Sequence, residues 1–253
     1  MINRFKSLLV RLLVATQPLA EGARTEQDDF LTVLLGIYRV SFSALRDINY
    51  LATHTEAAAS VLDLARKLTE YSLTVEYMLM KGRDKKAKEF QDYLWVQLTQ
   101  DREFLKSIGG KDQEEALNLD VSSAILAESY EKVPSYLKDG RHSWAGLSAD
   151  MMLKALHDKH CLNDFDFSRI GQAYIWGSRL NHPNPMVVRG MLDPKESEMM
   201  NGLYMQQCLF LGLTFHLRLT TRYIDQIREV VGRNEYESIA EEVAKMYKEL
   251  NSL

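Results

Sequence analysis

With 253 residues, 46% hydrophobic and 26% charged, the chain has the composition of an ordinary globular protein able to bury a sizeable core. A formal charge of -4 shows no basic excess, so the bulk charge does not argue for nucleic acid, although it does not exclude it. Two cysteines, Cys161 and Cys208, rule out a disulfide framework, and a reducing cytoplasm is the expected setting.

Thirteen glycines and five prolines are few for this length and favour long uninterrupted helices. The opening MINRFKSLLVRLLVATQPLA places Arg4 and Lys6 before an apolar run that Arg11 interrupts, leaving it too short for a secretory core. It reads as an amphipathic helix, with attachment to a membrane surface as the other reading. Helices are then expected from about Glu26 to Ala52 behind a Thr25 cap, and from about Glu56 to Met80 before Lys81-Gly82. Two more run from about Asp84 to Ile108 before Gly109-Gly110, and from about Gln113 to Lys132 before Pro134. PSYLKDGRHSWAGLS reads as an irregular connection, with Ser148 capping a short helix through His157. Next come a helix ending at His182, a long one from about Glu196 to Val231, and a last one after Asn234, where Asn234 and Glu237 have capping-box spacing.

The most apolar run, Leu203 to Leu219, contains Gln206, Gln207, His216 and Arg218, which suits a buried core helix and not a membrane span. No strand-like alternation and no internal repeat occurs. The expectation is an all-α, single-domain bundle of about eight or nine helices. Residues 1–24 would form the N-terminal amphipathic helix and linker, 25–231 the core bundle, and 232–253 the C-terminal helix.

On a wheel at about 100° per residue, Glu56, Ser60, Asp63, Lys67 and Thr74 share the solvated side of the Glu56–Met80 helix. Along the centre of its apolar side runs a line of small or polar residues, Ala58, Ala65, Thr69, Ser72 and Glu76. Such a line either admits a closely packed neighbour or leaves a slot, and it turns Glu76 inward. A buried carboxylate must find donors or give up its charge. Glu76 is therefore either a binding carboxylate or one end of a structural bond to an arginine or tyrosine.

YIWGSRLNHPNP holds the second group of polar residues. Tyr174, Ser178 and His182 are spaced four apart and follow one stripe of a helix that Pro183 and Pro185 stop. At a helix C-terminus the dipole favours the imidazolium of His182, whereas burial favours the neutral ring. Such a histidine suits proton transfer, and it equally suits capping of free carbonyls.

Three stretches in this order, ARKLTEYSLTVEYMLM, RHSWAGLS and AYIWGSRLNHPNP, resemble a bacterial family of helical proteins whose activity is not settled. Its pattern of Arg-x-x-x-Glu, a Trp-Gly-type loop and Tyr-x-x-x-Ser-x-x-x-His falls here on Arg66, Glu70, Trp144, Tyr174, Ser178 and His182. The resemblance implies an all-helical fold and brings Arg66 and Glu70 towards the Ser178/His182 stripe across a cleft. The wheel alone puts Arg66 and Glu70 at the edge of the solvated face, where they make an exposed i, i+4 pair.

Chemistry can be read two ways. SRLNHP resembles, in style, the Arg and His of metal-independent RNA-cleaving bundles from bacterial toxin and phage-defence systems, with only two residues between Arg179 and His182. There His182 would move a proton at the ribose 2′-oxygen while Arg179 holds the phosphate, helped by Ser178, Arg66 and Glu70. The other reading is a non-catalytic module that oligomerises and binds a partner or small ligand, with Tyr174, Glu76 and Trp144 in the binding cleft. His157, His160 and Cys161, with Asp164 and Asp166 near, have metal-like spacing but lack a second His/Cys cluster. Neither a resident metal nor a cofactor is expected.

Overall fold

The computed structural model describes residues 1–22, 28–55, 58–107, 123–138, 144–145, 147–162, 167–172, 194–232 and 236–253. These are α-helices and short connections, with no strand among the described residues, so the all-α expectation holds. Helix α1 (Ile2–Glu21) buries Phe5, Leu8, Leu9, Leu12, Thr16 and Leu19 at helical spacing, while Arg4 and Arg11 stay exposed. Arg39 closes its far end by donating to the carbonyls of Ala20 at 2.9 Å and Gly22 at 2.8 Å.

Helix α2 (Asp29–His54) is capped by Asp28, whose Oδ1 accepts from the Leu31 amide at 2.8 Å. The expected cap, Thr25, lies outside the described residues, and the observed cap also has a long-range partner. Asp28 Oδ2 accepts from Arg83 Nη2 at 3.0 Å, and Arg83 Nη1 donates onward to Gln226 Oε1, also at 3.0 Å. One guanidinium thus ties together the starts of α2 and α4 and the end of a later helix. Helix α3 (Ala58–Lys81) and α4 (Arg83–Ser107) meet at Gly82, whose φ of +98° is the left-handed geometry that glycine adopts without strain.

Helix α5 (Ser123–Lys132) is followed after Pro134 by a single turn, α6 (Ser135–Lys138). The connection expected to be irregular is therefore partly helical. Pro134 fixes a helix-compatible φ, its carbonyl accepts from Leu137 and Lys138, and Leu137 is buried. Helix α7 (Ala149–Asp158) begins behind Ser148 as the sequence suggests, and residues 167–172 form α8. Helix α9 (Pro194–Val231) spans 38 residues, and α10 (Glu237–Asn251) completes the order. Asn234 of the anticipated capping box lies outside the described residues. Tyr236 occupies the N-cap, which makes Glu237 the first helical residue, and its carboxylate pairs with Arg228.

Two apolar clusters share the long helices. One gathers the first half of α1, the second half of α2, the first half of α3, Leu153 and Leu156 of α7, residues 204–217 of α9, and α10. The other gathers Leu19, residues 30–38 of α2, Val75 to Met78 of α3, α4, Trp144 and residues 219–227 of α9. It follows that α1, α3 and α9 run in one direction and α2 runs against them. The approach is close at Gly212 of α9, where a Cβ would lie 3.2 Å from Ile48 Cδ1 and 3.7 Å from Leu68 Cδ1. The small central line of α3 serves this packing: Ala58, Ala65, Thr69 and Ser72 are all buried. Thr16, Thr69, Thr214 and Thr220 return their hydroxyls to carbonyls one turn earlier, so polar residues enter the core already bonded. Among the described residues no helix is long and apolar enough to cross a membrane.

Candidate functional site

Glu76 is only 5% exposed, and α9 supplies its donors. Arg218 Nε donates to Glu76 Oε1 at 2.8 Å, and Arg222 reaches both oxygens, Nε to Oε1 at 2.9 Å and Nη2 to Oε2 at 3.3 Å. Arg218 and Arg222 are four residues apart, so α9 presents them as neighbours on one face. The hydrogen bond to Glu76 raises the pKa of Arg222. Arg218 Nη2 also donates to the Cys161 carbonyl at 3.3 Å and so holds the turn where His160 takes a φ of +56°. The inward turn of Glu76 was readable from α3 alone. Its partners lie more than a hundred positions away, and the available signal was two arginines at i, i+4 interrupting an apolar run.

Arg66 and Glu70 form the i, i+4 pair, with Arg66 Nε donating to Glu70 Oε1 at 3.0 Å. Glu70 keeps 39% of its side chain accessible and lines a cavity of about 400 Å³. The cavity lies between α2, α3, α4 and the start of α7. Its described walls include Ile37, Tyr71, Thr74, Phe90, Trp144 and Met152. Trp144 is buried and meets Phe90 edge to face at 5.4 Å and Tyr77 at 6.0 Å, which fixes the indole in this wall. Two motif residues far apart in sequence, Glu70 and Trp144, thus line one cavity. Glu76 does not appear among its described lining residues.

Ser148 stands at the mouth as the N-cap of α7, yet its hydroxyl does not cap the helix. Asp150 takes that role. Hydrogen bonding from Ser148, and secondarily from the Asp150 and Met151 backbone, lowers the pKa of its carboxylate. Tyr174, Ser178, Arg179 and His182, the stripe in front of the two prolines, lie outside the described residues.

Two further buried polar groups were not among the sequence candidates for a site. His216 is completely buried; its Nδ1 shares a 2.8 Å hydrogen bond with Ser41 Oγ, and its Nε2 has no partner among the described residues. Burial pushes its pKa down to about 3, so the ring is neutral. Glu89 of α4 pairs with Lys86 and accepts from the Tyr136 hydroxyl at 2.8 Å. Desolvation, together with that carboxylate, raises the Tyr136 phenol to about 12. Around the histidine-cysteine stretch, His157 packs on the Phe167 ring at 4.2 Å. No group of three or more His, Cys, Asp or Glu side chains able to hold a metal ion occurs among the described residues, which do not include Asp164 and Asp166.

Searches against protein-family models, curated proteins and solved structures give no match to this chain. The functional reading therefore rests on the geometry of the chain itself.

Proposed function

We propose that this protein is a helical binding module that takes a small ligand in the cavity between α2, α3, α4 and α7. The observation that carries the reading is the cavity itself. At about 400 Å³ it has the size of a small-molecule site, and it combines apolar and aromatic walls with a few polar groups from Glu70, Thr74 and Ser148. The resemblance to a bacterial helical family supports the same place, since Glu70 and Trp144 are two of its motif residues. Self-association belongs to the proposal too, supported by the exposed Val10 and Val14 of α1 and Val40 and Tyr50 of α2.

A thermal-shift screen of small molecules against the full chain and Ala149→Trp tests it, because an indole at the partly buried Ala149 fills the cavity mouth. Compounds that raise the Tm of the parent and not of the variant are expected. A screen with no such compound removes the reading. Light scattering across a concentration series decides self-association: a monomer throughout removes it. RNA cleavage that is lost in a folded His182→Ala variant would replace the binding module with the nuclease reading.

A further inference from the structure

We infer that this cavity selects an organic cation, an ammonium group carried on an aromatic or apolar body. The inference rests on the cavity being a ligand site and names what that site prefers.

Charge is the first argument. Among the described lining residues Glu70 is the one charged side chain, and neither Lys, Arg nor His joins it. Arg66 is not in that wall; its Nε is bound to Glu70 Oε1 along α3. An ammonium entering the cavity meets the carboxylate at the wall.

The ring walls are the second. Tyr71, Phe90 and Trp144 line the same space, and an aromatic face carries the negative end of the ring quadrupole, which attracts a cation. The apolar remainder, Ile37, Leu73, Leu147 and Met152, suits the body that carries the charge.

The start of α7 is the third, because a helix N-terminus in the wall would by itself favour an anion. Amides at a helix N-terminus attract negative charge. Here the helix carries its own carboxylate in the first turn, Asp150, whose pKa is lowered by hydrogen bonding from Ser148 and from nearby backbone amides. A ligand carboxylate or phosphate would compete with an internal one and approach Glu70 as a like charge.

Calorimetry on the full chain with phenethylammonium, phenethyl alcohol and phenylacetate tests the inference with nearly isosteric probes of three charges. The cation should bind at least about ten-fold more tightly than the alcohol, and the anion most weakly. Glu70→Gln should erase the cation's advantage and leave the alcohol's affinity within about two-fold, with an unchanged helical spectrum. Equal affinities, a preference for phenylacetate, or a Glu70→Gln variant that keeps the cation's advantage overturns the cation preference and leaves the ligand site standing. Binding of none of the three, or cation binding that persists in Ala149→Trp, overturns both.

Discussion

Two glutamates six positions apart on α3 have opposite fates, and the contrast separates structure from site. Glu76 is closed: α9 delivers two guanidinium groups to it, and little of the carboxylate remains accessible. Glu70 is open: its partner among the described residues, Arg66, comes from its own helix, and it borders a cavity. The difference comes from what the neighbouring helix brings. A carboxylate saturated by donors from a second helix fixes how two helices sit against each other. One held only along its own helix keeps room to meet a ligand.

The sharpest way to break the contrast is Glu76→Ala. It leaves two arginines facing a buried hole, and the expected loss is about 3–5 kcal/mol of unfolding free energy, read by urea denaturation. The two arginines should then differ. Arg218 is 14% exposed and also holds the Cys161 carbonyl, whereas Arg222 is 40% exposed. Arg218→Met is expected to cost about 2–3 kcal/mol and Arg222→Met about 1 kcal/mol, because solvent screens the more exposed charge.

His216 extends the comparison to another closed group. Its folded pKa of about 3 lies below the ordinary value of 6.5, so the unfolded chain binds this proton more readily than the folded one. The resulting stability is fully present above pH 6.5 and is lost progressively as pH falls towards 3, by up to about 1.4 kcal/mol per pH unit. His216→Leu should flatten that slope between pH 6.5 and 5 in matched denaturation curves. Glu70→Gln is expected to give the smallest effect, no more than about 0.5 kcal/mol, as fits a part-exposed i, i+4 pair. A loss approaching that of Glu76→Ala would remove the distinction between the two glutamates.

Much of the helical order was legible from local signals. Gly82 ends α3, Ser148 precedes α7, and the centre line of α3 turns Glu76 inward, each because propensity and periodicity act within a few residues. The misses share a cause. Asp28 caps α2 and also accepts from Arg83, and Glu237 at the start of α10 pairs with Arg228, so each boundary residue has a partner on another helix. The cavity was half legible: Glu70 and Trp144 stood out by motif, while Tyr71, Phe90 and Met152 look like ordinary core residues until four elements converge. Of the His182 stripe, nothing falls within the described residues.

The long α9 has a mechanical consequence. A helix of 38 residues is a rod of about 57 Å, and this one is built into both apolar clusters, with Gly212 pressed against α2 and α3 in the first and Tyr223 seated in the second. A side chain added at 212 would act as a wedge, and the rod would carry the tilt to the far cluster, where Arg222 and Gln226 are anchored.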